Sequence, residues 1–244
     1  MMKNMLTILF LLGGMLSAFS QSTFEEDQIK TGKGDVKITF VGHGSLIFTF
    51  GGKNIFVDPY GKLADYSQFP KADLILITHE HPDHLDAAAI GKIKKEGTEI
   101  IVNGGSYDIL KSGVVMKNSE TKTVCGFQIE AVPAYNIVNK RDAGIPYHAK
   151  GAGNGYVITF GDKRFYVAGD TENIPEMKSL KNITCAFLPM NLPYTMTPEM
   201  TAEAAKMIMP RILYPYHFGD TDTAKIVDLL RKEKAIEVRI RKMK

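Results

Sequence analysis

Residues 46–57 read LIFTFGGKNIFV, and 110 residues later, at 156–167, the chain reads YVITFGDKRFYV. Five of the twelve positions are identical: Thr49 and Thr159, Phe50 and Phe160, Gly51 and Gly161, Lys53 and Lys163, Val57 and Val167. Each copy is an apolar run, a Gly-Gly or Gly-Asp pair and a second apolar run. That is the pattern of a β-hairpin whose turn needs the positive φ that glycine supplies. The segments downstream of the two hairpins match as well. After the first come Asp58-Pro59, the apolar run Leu74–Ile77, a polar loop and a helical stretch over Asp86–Lys95. After the second come Gly169-Asp170, the apolar run Ala186–Leu188, a polar loop and a helical stretch over Pro198–Met209, with Thr197 or Pro198 as its start and Pro210 as its stop. Strands that are apolar throughout are covered on both faces. A chance likeness of two hairpins would explain the turns alone, not the matching elements after them. The expected architecture is therefore α/β: two similar halves, their sheets packed face to face with helices outside.

No Pro/Gly/Ser-rich linker divides residues 21–244, which are expected to form a single domain. With 44% hydrophobic and 23% charged residues the chain can bury a sizeable core. Its 30 Lys+Arg against 27 Asp+Glu leave a net charge of +3, too balanced a field to predict a nucleic-acid partner. Lys225–Lys232 reads as a helix and Ile236–Ile240 as a closing strand. The basic residues Arg239, Arg241, Lys242 and Lys244 read as a solvated face.

Residues 1–20 are a separate object. Lys3 is the only charge before Glu25, and Leu6–Leu16 is apolar apart from Gly13 and Gly14, with Ala18 and Ser20 placed before Gln21 like a small-residue cleavage site. The run is short for a membrane span of about 20 residues, so a cleaved signal peptide is expected, with an uncleaved anchor as the alternative. Export to a periplasmic or extracellular space would be the consequence, with a mature chain of net charge +2 and no stable membrane span. The only thiols, Cys125 and Cys185, fall in apolar strand-like stretches and are expected to be small buried hydrophobes rather than a disulfide.

The chemistry concentrates at Thr78-His79-Glu80-His81-Pro82-Asp83-His84-Leu85-Asp86, where a buried strand gives way to a helix. Three of the six histidines of the chain fall within these residues. A lone histidine is usually structural, but three imidazoles and an aspartate this close point to a metal centre. His79 and His81, two apart at a strand end, can point the same way. Pro82 then turns the chain so that Asp83 and His84 can face a second ion. Asp86 is either an N-cap for a helix starting at Ala87 or an acceptor that orients a ligand. Asp58 is expected to accept from a ligand imidazole. The Gly-rich stretch Lys150–Gly155 is a weak match to a phosphate cradle, because a strand and not a helix comes after it.

This H-x-H-x-D-H motif resembles the signature of the metallo-β-lactamase superfamily. So does the order Gly42-His43-Gly44, Asp58-Pro59, the His motif, a later His, Gly169-Asp170-Thr171 and a final His after a helix. Phe187-Leu188-Pro189-Met190, Tyr194-Thr195-Met196-Thr197 and Pro215-Tyr216-His217 are most similar to the branch of ascorbate-6-phosphate lactonase-like metal-dependent hydrolases. The resemblance implies a four-layer αββα sandwich with the site at the sheet edges. It assigns His79, His81 and His148 to one metal ion, Asp83, His84 and His217 to a second, and Asp170 to both. For His148 the competing reading is an exposed loop residue.

Imidazole and carboxylate without thiolate suit two divalent ions, zinc foremost, with manganese or iron as alternatives. Ions bridged by Asp170 would share a water and lower its pKa toward about 7, so that hydroxide is the nucleophile. Asp170 or Asp83 would orient its proton and pass it to the leaving group. His43 is a substrate contact, a support for a ligand, or a turn residue only, and Asn191 and Tyr194 should border the site. The expected function is hydrolysis of a small-molecule ester, lactone or phosphodiester. The bridging Asp170 disfavours true β-lactam hydrolysis, since β-lactamases of the superfamily typically lack it. A nuclease or lipid phosphodiesterase is the runner-up, although a nuclease should carry a strongly basic face or an added arm. A redox di-iron role would call for an electron-carrier domain. A metal-binding protein without catalysis is the alternative of another class, and should show eroded ligands.

Overall fold

The computed structural model describes residues 24–244; the expected signal peptide, residues 1–20, lies outside them. The first half forms one seven-stranded sheet in chain order, from β1 (Glu25–Thr31), β2 (Gly34–Gly42), β3 (Ser45–Phe50) and β4 (Lys53–Val57) to β5 (Leu74–Leu76), β6 (Glu99–Val102) and β7 (Val114–Val115). The second half forms another, from β8 (Thr121–Val124), β9 (Phe127–Ala134), β10 (Gly153–Phe160) and β11 (Lys163–Val167) to β12 (Ile183–Pro189), β13 (Ile212–Tyr216) and β14 (Glu237–Val238). In each, the first four strands are antiparallel and the rest run parallel to the fourth.

The repeated sequence is thus β3–β4 and β10–β11, with Phe50 paired to Lys53 and Phe160 to Lys163 across the two turns. The helices repeat too: α1 (Ala87–Ile93) comes after β5 as α3 (Pro198–Ile208) comes after β12, and α2 (Gly104–Leu110) after β6 as α4 (Ala224–Leu230) after β13. Parallel neighbours need such crossovers, because a tight turn cannot join them.

Side-chain alternation along β5 shows how the layers are held. Leu74 and Leu76 enter the core shared by the two sheets, whereas Ile75 and Ile77 join Ala89, Ile90 and Ile93 of α1 in a second core outside the first sheet. The shared core carries an aromatic cluster in which Phe48 meets Phe165 at 79° and Phe187 at 76°, the edge-to-face geometry that ring quadrupoles favour. On the other side Ala204, Ala205 and Ile208 of α3 pack on the second sheet. The two-half sandwich expected from the repeat is present.

Local expectations need adjusting. Asp86 is the N-cap of α1, accepting from Ala88 N and Ala89 N, and Thr197 caps α3. The closing strand shrinks to two residues, and α1 and α4 are shorter than the apolar periodicity suggested. Cys185 is fully buried as expected, but Cys125 occupies the β8–β9 turn at φ 51°, half-buried, and both thiols are free. The basic tail is not simply a solvated face. Arg241 and Arg239 donate to Asp27 of β1 at 2.6 and 3.2 Å, and Tyr214 donates to the same carboxylate at 2.6 Å. Sequence reasoning missed this because the partner lies over 200 residues away.

Candidate metal centre

The parallel strands of both sheets end at one edge of the sandwich, the place where open α/β sheets bind ligands. Asp58 comes directly after β4, the His79–His84 segment after β5, Asp170 after β11, and His217 after β13. His43 comes from the β2–β3 turn and His148 from the segment before β10. His217 N donates to His43 O at 3.0 Å, so the two halves are joined at the site itself. His43, Asp58 and His217 take φ values of 50°, 44° and 47°. That left-handed backbone costs an L-residue roughly 1 kcal/mol or more, so strain accumulates where the side chains must be aimed. Gly169 is required before Asp170, because at φ 66° an added Cβ would lie 2.9 Å from Asn154 O.

Two groups of side chains converge there. His79, His81, His148 and Asp170 form one, and His43, Asp83, His84 and His217 the other; within each, one ligating atom per residue lies within 4.8 Å of all the rest. Asp170 stands between them. Its Oδ2 is 3.4 Å from His148 Nε2 and 4.0 Å from His79 Nε2, while its Oδ1 is 3.5 Å from His84 Nε2 and 3.6 Å from His217 Nε2. All seven residues that the resemblance assigned to metal binding are brought together. His43 joins the second group by a 2.9 Å contact of its Nε2 with Asp83 Oδ2.

The rings are aimed from behind. Asp58 Oδ2 accepts from Thr78 Oγ1 at 2.6 Å and from His84 Nδ1 at 2.8 Å, and its Oδ1 accepts from Thr78 N. Thr78 Oγ1, its proton given to Asp58, accepts from His79 Nδ1 at 3.0 Å. His148 Nδ1 donates to Asn136 Oδ1 at 2.8 Å, and the same oxygen accepts from His148 N. With Nδ1–H engaged on each of these three rings, Nε2 is left with its lone pair toward the cluster, as a metal ligand needs.

Burial and charge agree with that assignment at His79 and His148, whereas at His84 burial is outweighed by the Asp170, Asp58 and Asp83 carboxylates, which raise that ring to about 9. Burial drives His79 well below the usual histidine range and His148 down to about 4, so both are neutral ligand-form imidazoles near neutral pH. Burial alone would raise the Asp170 carboxyl, but the neighbouring His217 and His84 outweigh it and keep it ionised. His84 Nε2, both ring nitrogens of His217 and Asp170 Oδ1 are buried without a hydrogen-bond partner among the described residues. Unpaired buried polar atoms are costly, and here they converge. An ion at each group would satisfy Asp170 Oδ1 and the facing Nε2 atoms together, so the residues fit the two cations that the ligand set implies.

Two contributors were not legible beforehand. Glu172, 1% exposed, accepts from Ile137 N and Val138 N through Oε2 and from Asn139 N and Asn136 Nδ2 through Oε1. It thereby holds Asn136, which holds His148. A glutamate after Gly-Asp-Thr signals nothing by itself, and only its burial gives it away. A cavity of about 360 Å³ opens onto the site, and Asn191 and Tyr194 border it as expected. The stretch Lys150–Gly155 runs into β10, which begins at Gly153, and not into a helix.

Comparison with known proteins bears on the same residues. A family model described as a beta-lactamase superfamily domain matches residues 37–217, a span holding all eight site residues. A UPF0173 metal-dependent hydrolase of Methanopyrus kandleri is 32% identical over 200 residues, which cover 75% of this chain and 84% of that one. The crystal structure of a Parabacteroides distasonis protein named as a metal-dependent hydrolase shares 52% identity at a TM-score of 0.87, covering 91% of this chain and all of that one. Igni18, a metallo hydrolase from the archaeon Ignicoccus hospitalis, shares 25% identity at a TM-score of 0.70 over 84% of this chain and 94% of its own.

Proposed function

The chain belongs to the β-lactamase superfamily and is a metal-dependent hydrolase, and on that premise we propose that it works with two ions on an ester, lactone or phosphodiester. The observation that carries the dinuclear reading is Asp170, which turns one carboxylate oxygen to each group of histidines. His79, His81 and His148 would hold one cation, and Asp83, His84 and His217 the other. Bound there, two divalent cations would polarise the substrate's carbonyl or phosphoryl oxygen and lower the pKa of a water enough to make it a nucleophile near neutral pH.

The chain's own residues set the geometry. Asp58, Thr78 and Asn136 keep three Nε2 atoms aimed inward, so little reorganisation remains when substrate arrives. Asp83 is 34% exposed against 4% for Asp170, and it lines the cavity. Asp83 is thus the carboxylate placed to take a proton from the attacking water and return it to the leaving oxygen. His43 donates to Asp83 Oδ2 and holds it toward the cavity. Zinc is the first expectation, with manganese or iron as alternatives, because imidazole and carboxylate accommodate all three. Export of the chain after removal of residues 1–20 belongs to the same proposal and is supported by the apolar run Leu6–Leu16.

The test pairs elemental analysis with turnover of bis(p-nitrophenyl) phosphate and a panel of small lactones, on the protein and on Asp170→Ala. About two ions per chain, with metal and turnover both lost in the variant, support the reading. No bound metal after reconstitution overturns it.

A further inference from the structure

Between Ala134 and His148 the chain makes a narrow hairpin beside the metal centre. Lys140 and Pro146 bridge antiparallel, Arg141 N donates to Ile145 O at 2.8 Å, and Gly144 N, at φ 76°, donates back to Arg141 O at 2.8 Å. Arg141 is therefore fixed through both of its backbone polar groups. Its guanidinium lies 5.1 Å from the centroid of the Tyr147 ring, and Tyr147 in turn meets Tyr194 edge-on, 5.1 Å away at 80°. These three side chains line the same cavity as Asp83, Asp170 and His217.

Arg141 is the one lysine or arginine lining that cavity. No carboxylate pairs with it among the described residues, whereas Arg164, Arg239 and Arg241 each hold one. The Arg141 side chain is exposed at the cavity mouth, where water solvates its guanidinium until a ligand takes that water's place. Two divalent cations against Asp83, Asp170 and the buried Asp58 would still leave a surplus of positive charge, and Arg141 adds to it. Stacking on Tyr147 stabilises and orients the planar fork but leaves its hydrogen-bonding edge to seek an acceptor. The ligand that complements both this guanidinium and that surplus is an anion.

We propose that Arg141 is a specificity-determining residue that seats an oxyanion of the substrate, a carboxylate or a phosphate, at the mouth of the metal centre, with Tyr147 and Tyr194 walling the portion that joins it to the scissile bond. This rests on the hydrolase reading and names its substrate class: an anionic ester or lactone, not a neutral one. The fork matches the two oxygens of either group in a bidentate contact, which a lysine would not reproduce.

Metal-loaded protein, Arg141→Gln and Arg141→Lys would be titrated by calorimetry with N-methylglutaramate, with 3-phosphonopropionamide and with neutral N-methylpentanamide. In parallel, p-nitrophenyl hemiesters of succinate, glutarate and adipate would be compared with p-nitrophenyl pentanoate. The expected result is roughly 10-fold or greater loss of affinity for one anionic probe in Arg141→Gln, with partial retention in Arg141→Lys. The neutral amide should bind all three proteins alike, and metal content should not change. The stronger anionic probe identifies carboxylate or phosphate as the group recognised. Equal binding by the protein and Arg141→Gln, or no binding of either anion to the protein, overturns the proposal. If the probes discriminate but no ester is turned over, Arg141 keeps its role and the hydrolase substrate reading is what fails.

Discussion

Asp58 Oδ2 lies 2.8 Å from His84 Nδ1, and both side chains are fully excluded from solvent. The carboxylate cannot release that proton donor without exposing a buried charge, so the His84 ring is held with Nε2 toward Asp170. Asp58→Asn preserves the shape but points an amide N–H at donors already present on Thr78 or His84. The expected outcome is a loss of roughly 10- to 100-fold in affinity at the second group, with the first changed far less. A competition titration against a chromophoric chelator would show two separated steps. Equal weakening of both steps would sink the idea that Asp58 acts through His84.

Asp170 serves both groups, His148 only one. Asp170→Ala should therefore reduce bound metal at both, whereas His148→Ala should leave about one ion per chain by elemental analysis. If His148→Ala retained both ions at full occupancy, the assignment of that residue to the first ion would be wrong.

Glu172 carries a load that a neutral isostere cannot. Glu172→Gln leaves one oxygen for four donors and turns an N–H₂ toward part-buried backbone N–H groups, at a cost of up to about 1–3 kcal/mol for each donor left unpaired. Thermal unfolding should move down by several degrees. Metal affinity at the His79–His81–His148 group should fall with it, because Asn136 loses its anchor. Unchanged unfolding and unchanged metal affinity would count against this account.

The Asp27 cluster predicts a pH signature remote from the metal centre. Burial raises its carboxyl, but hydrogen bonds from Tyr214 and Arg241 outweigh that and hold it below the usual range. A carboxyl lowered in the folded state stabilises above its unfolded value of about 3.9 and loses that contribution as pH falls through the folded value. Asp27→Asn should be less stable at pH 7 by roughly 1–2 kcal/mol. The gap should narrow as pH falls below that unfolded value and on through the lower folded one. Denaturant melts at several pH values would measure it, and a gap independent of pH would contradict the linkage.

Much of the fold was readable because its signals are local. The hairpin turns need glycine at Gly51 and Gly161, and alternation along β5 needs only neighbouring residues. The His79–His84 segment was readable for the same reason, since four metal-ligating side chains within six residues have few other uses. Asp170, His148 and His217 were placed by resemblance, not by spacing. They sit on separate loops, and no local pattern distinguishes them from other polar loop residues. Arg239 and Arg241 passed for a solvated face because the residue that neutralises them, Asp27, is on the first strand.

Local chemistry along the chain specifies two repeated strand-and-helix halves and a metal-binding segment at the end of a buried strand. Backbone geometry and side-chain periodicity act over a few residues, whatever the rest of the chain does. It took the assembled fold to place Asp170 between two histidine groups, to make Glu172 a buried brace, and to leave Arg141 facing the metal centre unpaired. Those outcomes depend on which loops the packing of one sheet on the other brings together, and on which charges it strips of water. Burial converts an ordinary Glu or His into a held acceptor or a neutral ligand, and burial belongs to the whole packed molecule rather than to any stretch of it.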